Sequence, residues 1–413
     1  ADVGHALRGQ ARVYLDTVNP SRASELLQQA LRLSDGTDDR AANARLFELL
    51  AENKLNAGKP HEAEIYQQKS QEIWEEGPSV SELHYRVLLR TGQLREAREK
   101  LEIQTQFERE QPVHTPRAHR ETLLVLSLIY ALQGKVEAAY ETALEGTQRG
   151  EELQSPFVTA VGHIRQGHAL ALLPGEENYQ LSREEYEQAV EISHSLDVPR
   201  LRVEAYWGLC RAYGYQGEHK LAARNAVLAL EIADKAGDEW IASLVRLTMG
   251  ATLVQADRYE EASPWLKKAQ RGFKECSDPF GAAAVNLWHC LSLFKKGEQE
   301  QLSEEFKQLL DTCREHHYDY LFTRSTLLGS ARDRDLVPML ILARDENWEG
   351  SYARDLLSEI GLGGIKIHPG YQLRVRTLGA FNAWRGTTVI PSNGWQRKKA
   401  RLLFQIFLTF RGE

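Results

Sequence analysis

Side chains able to hold a polar ligand gather in two helical stretches of this sequence. Trp207, Arg211 and Tyr215 follow one another a helical turn apart, and Arg165 and His168 precede them. A flat aromatic ring, a guanidinium and a phenol together suit a polar ligand or an acidic peptide. Packing is the competing account, since Trp and Tyr at helical spacing are more often buried between helices than kept for a ligand. A second cluster, Arg397, Lys398, Lys399 and Arg401, could contact DNA phosphates through counterion release without reading bases. The competing account is the solvated face of a scaffold helix. Cys313-Arg-Glu-His-His-Tyr-Asp319 collects metal-ligand types, but adjacent histidines point about 100° apart on a helix, so no metal site is expected. HExxH, GxSxG, a Cys/His pair in a recognisable context and a glycine-rich phosphate loop are all missing from the sequence, and its carboxylates spread over helix faces in i,i+4 patterns. The expectation is a binding protein without cofactor, not an enzyme.

Charge divides the chain into two parts. From Tyr371 onward there are eight Arg or Lys and one acid, a net of +7, which leaves −14 for residues 1–370 out of −7 overall. Such a split marks parts with different partners. Hydrophobic content of 42% with 26% charge is that of a folded chain. The most apolar run, Leu123 to Leu132, has ten residues, about half of what a bilayer needs, so no membrane partner is expected. Cys210, Cys276, Cys290 and Cys313 lack CxxC spacing, which fits reduced thiols in a cytoplasm. The N-terminus ADVGHALRGQARVYLD reads as the edge of a longer protein.

What must position the candidate residues is a repeat. A turn residue followed five positions later by alanine occurs at Gly58/Ala63, Gly92/Ala97, Gly134/Ala139, Gly217/Ala222 and Asp257/Ala262, and Gly297/Leu302 keeps the spacing. Gly175, with its alanine delayed to Ala189, divides the one long interval. Each turn residue ends one helix, and the alanine lets the next lie close against it, making an αα-hairpin. Seven positions before the turns stand Ser127, Cys210, Gly250 and Cys290, and nine after them Ala143, Ala226, Leu266 and Phe306. Packing therefore accounts for Cys210 and Cys290.

These positions, in ALQGKVEAAYETAL and YEEASPWLKKA, resemble the tetratricopeptide (TPR) family over roughly residues 1 to 345. The likeness weakens in the first 45 residues and after Tyr318. It implies an all-α fold: eight or nine αα-hairpins coiled into a right-handed superhelix, its concave face lined by the first helix of each pair. Periods of 40 to 42 exceed the family's usual 34, as in the sensor solenoid of MalT-like transcription activators. In that register Trp207, Arg211, Tyr215, Arg165 and His168 face the groove. Leu124, Leu128, Leu247, Ala251, Leu287 and Leu291 stand at the equivalent places in neighbouring pairs, so the groove is either self-packed or grips something apolar.

The character of the sequence changes after residue 361, with a turn-rich linker at 362–370. Leu373 to Gly379, Ala380 to Gly386 and TTVIP alternate as three short antiparallel strands, with a turn at Arg385-Gly386. Trp395 to Phe410 then places Leu402, Leu403, Ile406 and Phe410 at helical spacing. The strand turn Thr377-Leu378-Gly379-Ala380-Phe381 ahead of Trp395 and Lys399-Ala400-Arg401-Leu402-Leu403 resembles the opening of the OmpR-type winged-helix domain of SARP-type activators. The resemblance implies that 371–413 is the start of a DNA-binding domain whose recognition helix and wing would follow Glu413, so that 1–413 alone does not bind DNA specifically. It also implies a nucleotide-binding module elsewhere in the full-length protein, since GxxxxGK(S/T) is absent from this sequence. The functional expectation is the sensor region of a bacterial transcription activator, binding a small-molecule effector or a protein or peptide in the groove. The alternative is a general TPR adaptor without a DNA role.

Overall fold

The computed structural model describes residues 2–16, 19–34, 39–73, 82–110, 116–117, 121–330, 333–364, 373–377, 379, 381–385, 388–395 and 397–410. Helices alternate in antiparallel pairs: α1 (Asp2–Asp16) with α2 (Pro20–Ser34), α3 (Arg40–Asn56) with α4 (Pro60–Ile73), α5 (Glu82–Arg90) with α6 (Leu94–Arg109), and α7 (Thr122–Leu132) with α8 (Val136–Glu152). Next come α9 (Pro156–Leu170) with α10 (Glu176–Ser195), α11 (Pro199–Tyr215) with α12 (His219–Ala236), α13 (Glu239–Gln255) with α14 (Tyr259–Glu275), and α15 (Pro279–Lys296) with α16 (Gln299–His316). A single turn, α17 (Tyr320–Thr323), and a ninth pair, α18 (Asp333–Asp345) with α19 (Tyr352–Glu359), follow. None of the described helices is long and apolar enough to cross a membrane.

The pairing follows from the repeat. Ala63, Ala97, Ala139, Ala189, Ala222 and Ala262 are all fully buried, and the Ser127 hydroxyl donates to the Ala139 carbonyl at 2.7 Å, so the small residue of the first helix meets the alanine of the second. From Gly134 to His317, each helix end except that of α9 carries a residue of positive φ that closes its last turn. Four of the five turns between pairs place a side chain there, at Gln154, Asp197, Ser277 and His317. A search keyed to glycine therefore meets mainly the turns within pairs. At the delayed turn the structure has its own solution. Tyr186 on α10 is fully buried between α9 and α11, where a Cβ at position 167 or 208 would lie 2.7 or 2.2 Å from its ring.

The solenoid closes on itself. A Cβ at Gly58 would lie 2.8 Å from Cys276 Sγ, one at Gly92 2.9 Å from the Phe280 nitrogen, and one at Gly134 2.7 Å from the Ser325 carbonyl oxygen. The turns of pairs two, three and four thus rest on the chain five pairs further on, whereas the corresponding Gly217 and Gly297 meet nothing. Tyr318 donates to the Gly92 carbonyl at 2.9 Å, across 226 residues. Between α17 and α18 the chain leaves the repeat, and its irregular stretch 324–330 enters the interior, where Thr326, Leu327 and Leu328 are buried.

The C-terminal unit is a three-stranded antiparallel meander, β1 (Leu373–Arg376), β2 (Asn382–Arg385) and β3 (Thr388–Val389), in order β1-β2-β3. Val375 pairs with Ala383 and Trp384 with Val389. The strands are shorter than expected. The last helix, α20 (Lys398–Thr409), also begins later than the expected Trp395, because Trp395 sits in a 3-10 turn with its ring 5.3 Å from Phe404 and 6.1 Å from Phe381. The linker from residue 365 onward and the turn after Arg385 lie outside the described residues.

Candidate functional site

The first helices of successive pairs carry a chain of buried ions along the inner face. Arg165 on α9 donates to Glu204 at 2.7 Å. Glu204 also takes Arg200, at 2.7 Å and one helical turn away. Arg200 donates to Asp238, the N-cap of α13, at 2.7 Å, and Arg90 on α5 grips the same carboxylate with two bonds of 3.1 Å. Arg86 pairs with Glu52 at 2.9 Å. Every member is at most 7% exposed, so each charge depends on its partner. Burial works to raise the Glu204 carboxyl, but the two flanking guanidinium groups overcome it and hold the group down at about 2. Between Arg86, Arg90, Arg165, Arg200 and the rings of Trp207 and Trp240 lies a cavity of ≈ 40 Å³. The run from Arg165 to Arg90 counts three guanidinium groups against two carboxylates and joins pair five to pair three through pairs six and seven.

The structure brings four of the five predicted groove residues together, buried, and sets the fifth beside them. The Trp207 indole donates to Thr248 at 2.8 Å and meets the His168 ring edge-on at 4.8 Å. His168 Nδ1 bonds the Tyr186 hydroxyl at 2.7 Å, and burial, with Arg165 nearby, pushes its imidazole well below its ordinary value. Arg211 donates to the carbonyls of Ala171 at 2.8 Å and Leu327 at 3.2 Å and lies over the Tyr215 ring. Half-buried Tyr215 donates to the Gly329 carbonyl at 3.3 Å, and Trp288 donates to the Leu328 carbonyl at 2.7 Å. Apart from His168 Nε2, which is buried without a hydrogen-bond partner, the groove side chains are thus paired within the chain, Arg211 and Tyr215 by the backbone of the stretch 327–329, which Trp288 also holds. Leu124, Leu128, Leu247, Ala251, Leu287 and Leu291 are buried as well, which decides for a narrow, self-packed inner face.

In the C-terminal unit Arg397, Lys398 and Lys399 are exposed. Arg401 is half-buried, donates to the Phe381 carbonyl at 3.1 Å and lies over that ring, a scaffold position. Cys313 is buried, as are the other three cysteines, none in a disulfide. Among the described residues no three His, Cys, Asp or Glu side chains converge as metal ligands.

Sequence reading missed Asp238, Asp278, Arg90, Arg200, Glu204 and Tyr186. Their signal lay in the period: Asp238 and Asp278 stand 40 residues apart and cap the first helices of consecutive pairs. Asp278 accepts from Gly281 N at 3.0 Å and from Trp240 Nε1 at 2.9 Å. Unlike Asp238 it is paired with no cation among the described residues, and burial pushes its carboxyl up to about 6 despite those bonds. A raised folded value means that the native state holds this proton more tightly. The stabilisation is full below the unfolded carboxyl range and is lost as pH rises through about 6. The Asp278→Asn cost, measured by urea unfolding, is therefore expected to be about 2 kcal/mol larger near pH 4.5 than near pH 7.5. Equal costs at both pH values would remove this assignment.

No protein-family model and no curated protein matches the chain. Solved structures do. A Rap protein complexed with competence and sporulation factor shares a TM-score of 0.56 at 12% identity, over 87% of this chain and 96% of that one. A signal-transduction ATPase with a tetratricopeptide repeat sensor from Pyrococcus horikoshii gives 0.42 at 14%, over 82% of this chain and 52% of that one. Aspartyl phosphate phosphatase F from Bacillus subtilis gives 0.39 at 10%, over 88% and 91%. With the αα-hairpins already described, the first of these likenesses assigns the fold: the chain is a tetratricopeptide-like helical solenoid.

Proposed function

We propose that this chain is the sensing region of a bacterial transcription activator, in which a peptide or small effector on the inner face of the solenoid governs a winged-helix DNA-binding domain beginning near Tyr371. The observation that carries the reading is the hold of Arg211, Tyr215 and Trp288 on the carbonyls of residues 327–329. These donors recognise backbone and not side chains, so an external peptide offers them the same acceptors. Exchange of one for the other would free the stretch joining α17 to α18 and loosen the closed form, a population shift between two packings of one solenoid.

The DNA half of the reading is supported by the order of the C-terminal unit, a strand meander followed by a helix. That helix leaves Leu402, Leu403, Ile406, Phe407 and Phe410 43 to 67% exposed, the kind of apolar face the first helix of a winged-helix domain turns toward the elements after it. In this reading the protein works in the cytoplasm, without cofactor or catalysis, and a nucleotide-binding module belongs to the full-length protein. The test is DNA binding by the intact gene product, followed by fluorescence anisotropy against salt and against a peptide pool. Salt-dependent binding that peptides alter in the wild type but not in Arg211→Met is expected. An intact gene product with no affinity for DNA would defeat the transcription reading.

A further inference from the structure

The ion chain on the inner face does not balance. From Arg165 through Glu204, Arg200 and Asp238 to Arg90, three guanidinium groups meet two carboxylates. All five are at most 7% exposed, and none takes a further ion pair among the described residues. Arg86, the next cation along the face, is matched by Glu52 and leaves the excess as it is. One positive charge is left over in the interior, where a charge without a counter-ion is far costlier than in water.

The excess gathers round the cavity of ≈ 40 Å³. Arg86, Arg90, Arg165 and Arg200 all stand on its wall, whereas among the described residues Glu204 is the one carboxylate there. Leu89, Val125, Leu128 and Ile241 line the rest with the rings of Trp207 and Trp240, whose indole N–H groups are taken by Thr248 and Asp278. Such a wall keeps the local dielectric low and strengthens the pull of the cations. Burial works to raise Glu204, yet Arg165 and Arg200 hold it at about 2.

Hydrogen bonding supplies a second observation. Arg165, 4% exposed, gives Nε to the Leu124 carbonyl at 3.1 Å and Nη1 to Glu204 at 2.7 Å. Its Nη2, the other arm of the fork, makes no hydrogen bond among the described residues. A buried charged donor left in that state costs more than a neutral one. Since a buried water needs roughly 10–15 Å³, the cavity admits about three non-hydrogen atoms, those of one carboxylate group. A carboxylate also matches the planar fork of a guanidinium.

We propose that this cavity is an anion site that takes a carboxylate group, held by Arg165 among the guanidinium groups of Arg86, Arg90 and Arg200 and walled by Val125 and Leu128. The group neutralises the spare charge. Because Arg90 belongs to pair three and Arg165 and Arg200 to pairs five and six, it also ties together the two sides of the closed solenoid, and a ligand that binds only the closed form raises its population. Arg211 and Tyr215, on which the effector reading rests, are not on this wall, so the site stands whether or not the chain regulates transcription.

The test begins with sodium formate and the wild-type protein, by calorimetry and thermal shift at constant ionic strength. Saturable binding with a Kd on the order of 1 mM, near the ceiling for a three-atom ligand, is expected together with a raised Tm. Crystals soaked in sodium bromide should show an anomalous peak in the cavity. Sodium hexanoate separates the two sources of the group: hexanoate bound as tightly as formate points to the carboxylate of a larger effector, and formate bound alone points to a free ion. Leu128→Glu and Leu128→Gln then differ by one charge on the wall. The Glu variant is expected to melt higher than the Gln variant at pH 7.5 and to lose formate binding, since it brings its own carboxylate. Its carboxyl is held down in the folded state, so that advantage is present above the ordinary carboxyl range and is lost as pH falls below about 4. A Gln variant at least as stable as the Glu variant at pH 7.5 would overturn the proposal. So would a wild type that formate neither binds nor stabilises and whose cavity takes no bromide, a cavity that holds water only, and this arm decides if neither variant folds. None of these results bears on DNA binding by the intact gene product, so the two readings fail separately.

Discussion

Asp238→Ala is expected to destabilise the protein by about 3–5 kcal/mol, the range for breaking a buried ion pair by removing one partner. Asp238 is 2% exposed and answers two guanidinium groups, Arg90 and Arg200, while capping α13 through Ile241 N. Alanine leaves both cations buried without that carboxylate and the helix without its cap. The Arg90 bond also spans 148 residues, from the third pair to the seventh, so its loss unlatches the closed solenoid as well as weakening it. Urea unfolding reads the first effect and the radius of gyration from small-angle scattering the second. Arg90→Met in the same background should recover part of the loss, giving a coupling of at least about 1 kcal/mol in a double-mutant cycle. A cost below about 1 kcal/mol with an unchanged radius would mean that the latch holds nothing.

Trp207→Ala carries the second large effect, also about 3–5 kcal/mol. Its indole is 1% exposed, donates to Thr248 and packs against His168, so removal opens a cavity and orphans a hydroxyl in one step. The outcome separates two roles for this ring. A Trp that serves a ligand alone loses binding on truncation and leaves the unfolding midpoint in place, whereas a keystone of the core shifts the midpoint with or without ligand. The geometry gives the second. Trp207→Phe should recover roughly half of the loss by refilling most of the volume, without the Thr248 bond.

Local chemistry made much of the fold legible in the amino-acid sequence. Turn and alanine five apart dictate how one helix lies on the next, and every alanine so identified is buried. The same register assigned Cys210 and Cys290 to packing, and both are fully buried thiols that burial pushes upward. Arg165, His168, Trp207 and Arg211 were placed on the inner face and do converge there.

Closure was not legible, nor was anything that depends on it. Arg200 and Glu204, four apart on a helix, look like any solvated i,i+4 pair. Their neighbours in the stack, Arg165 and Asp238, join them in one buried network, and closure of the solenoid adds Arg90 from the third pair. The stretch 327–329 reads as a loop after a fading repeat, yet it occupies the groove that the repeat builds. In a solenoid each pair contacts its neighbours, and the sequence records those neighbour contacts as a period. Where one superhelical turn meets the next depends on small rotations summed over five pairs. No short-range pattern carries that sum, so the partners of Asp238, Arg211 and Gly92 were decided by the tertiary structure alone.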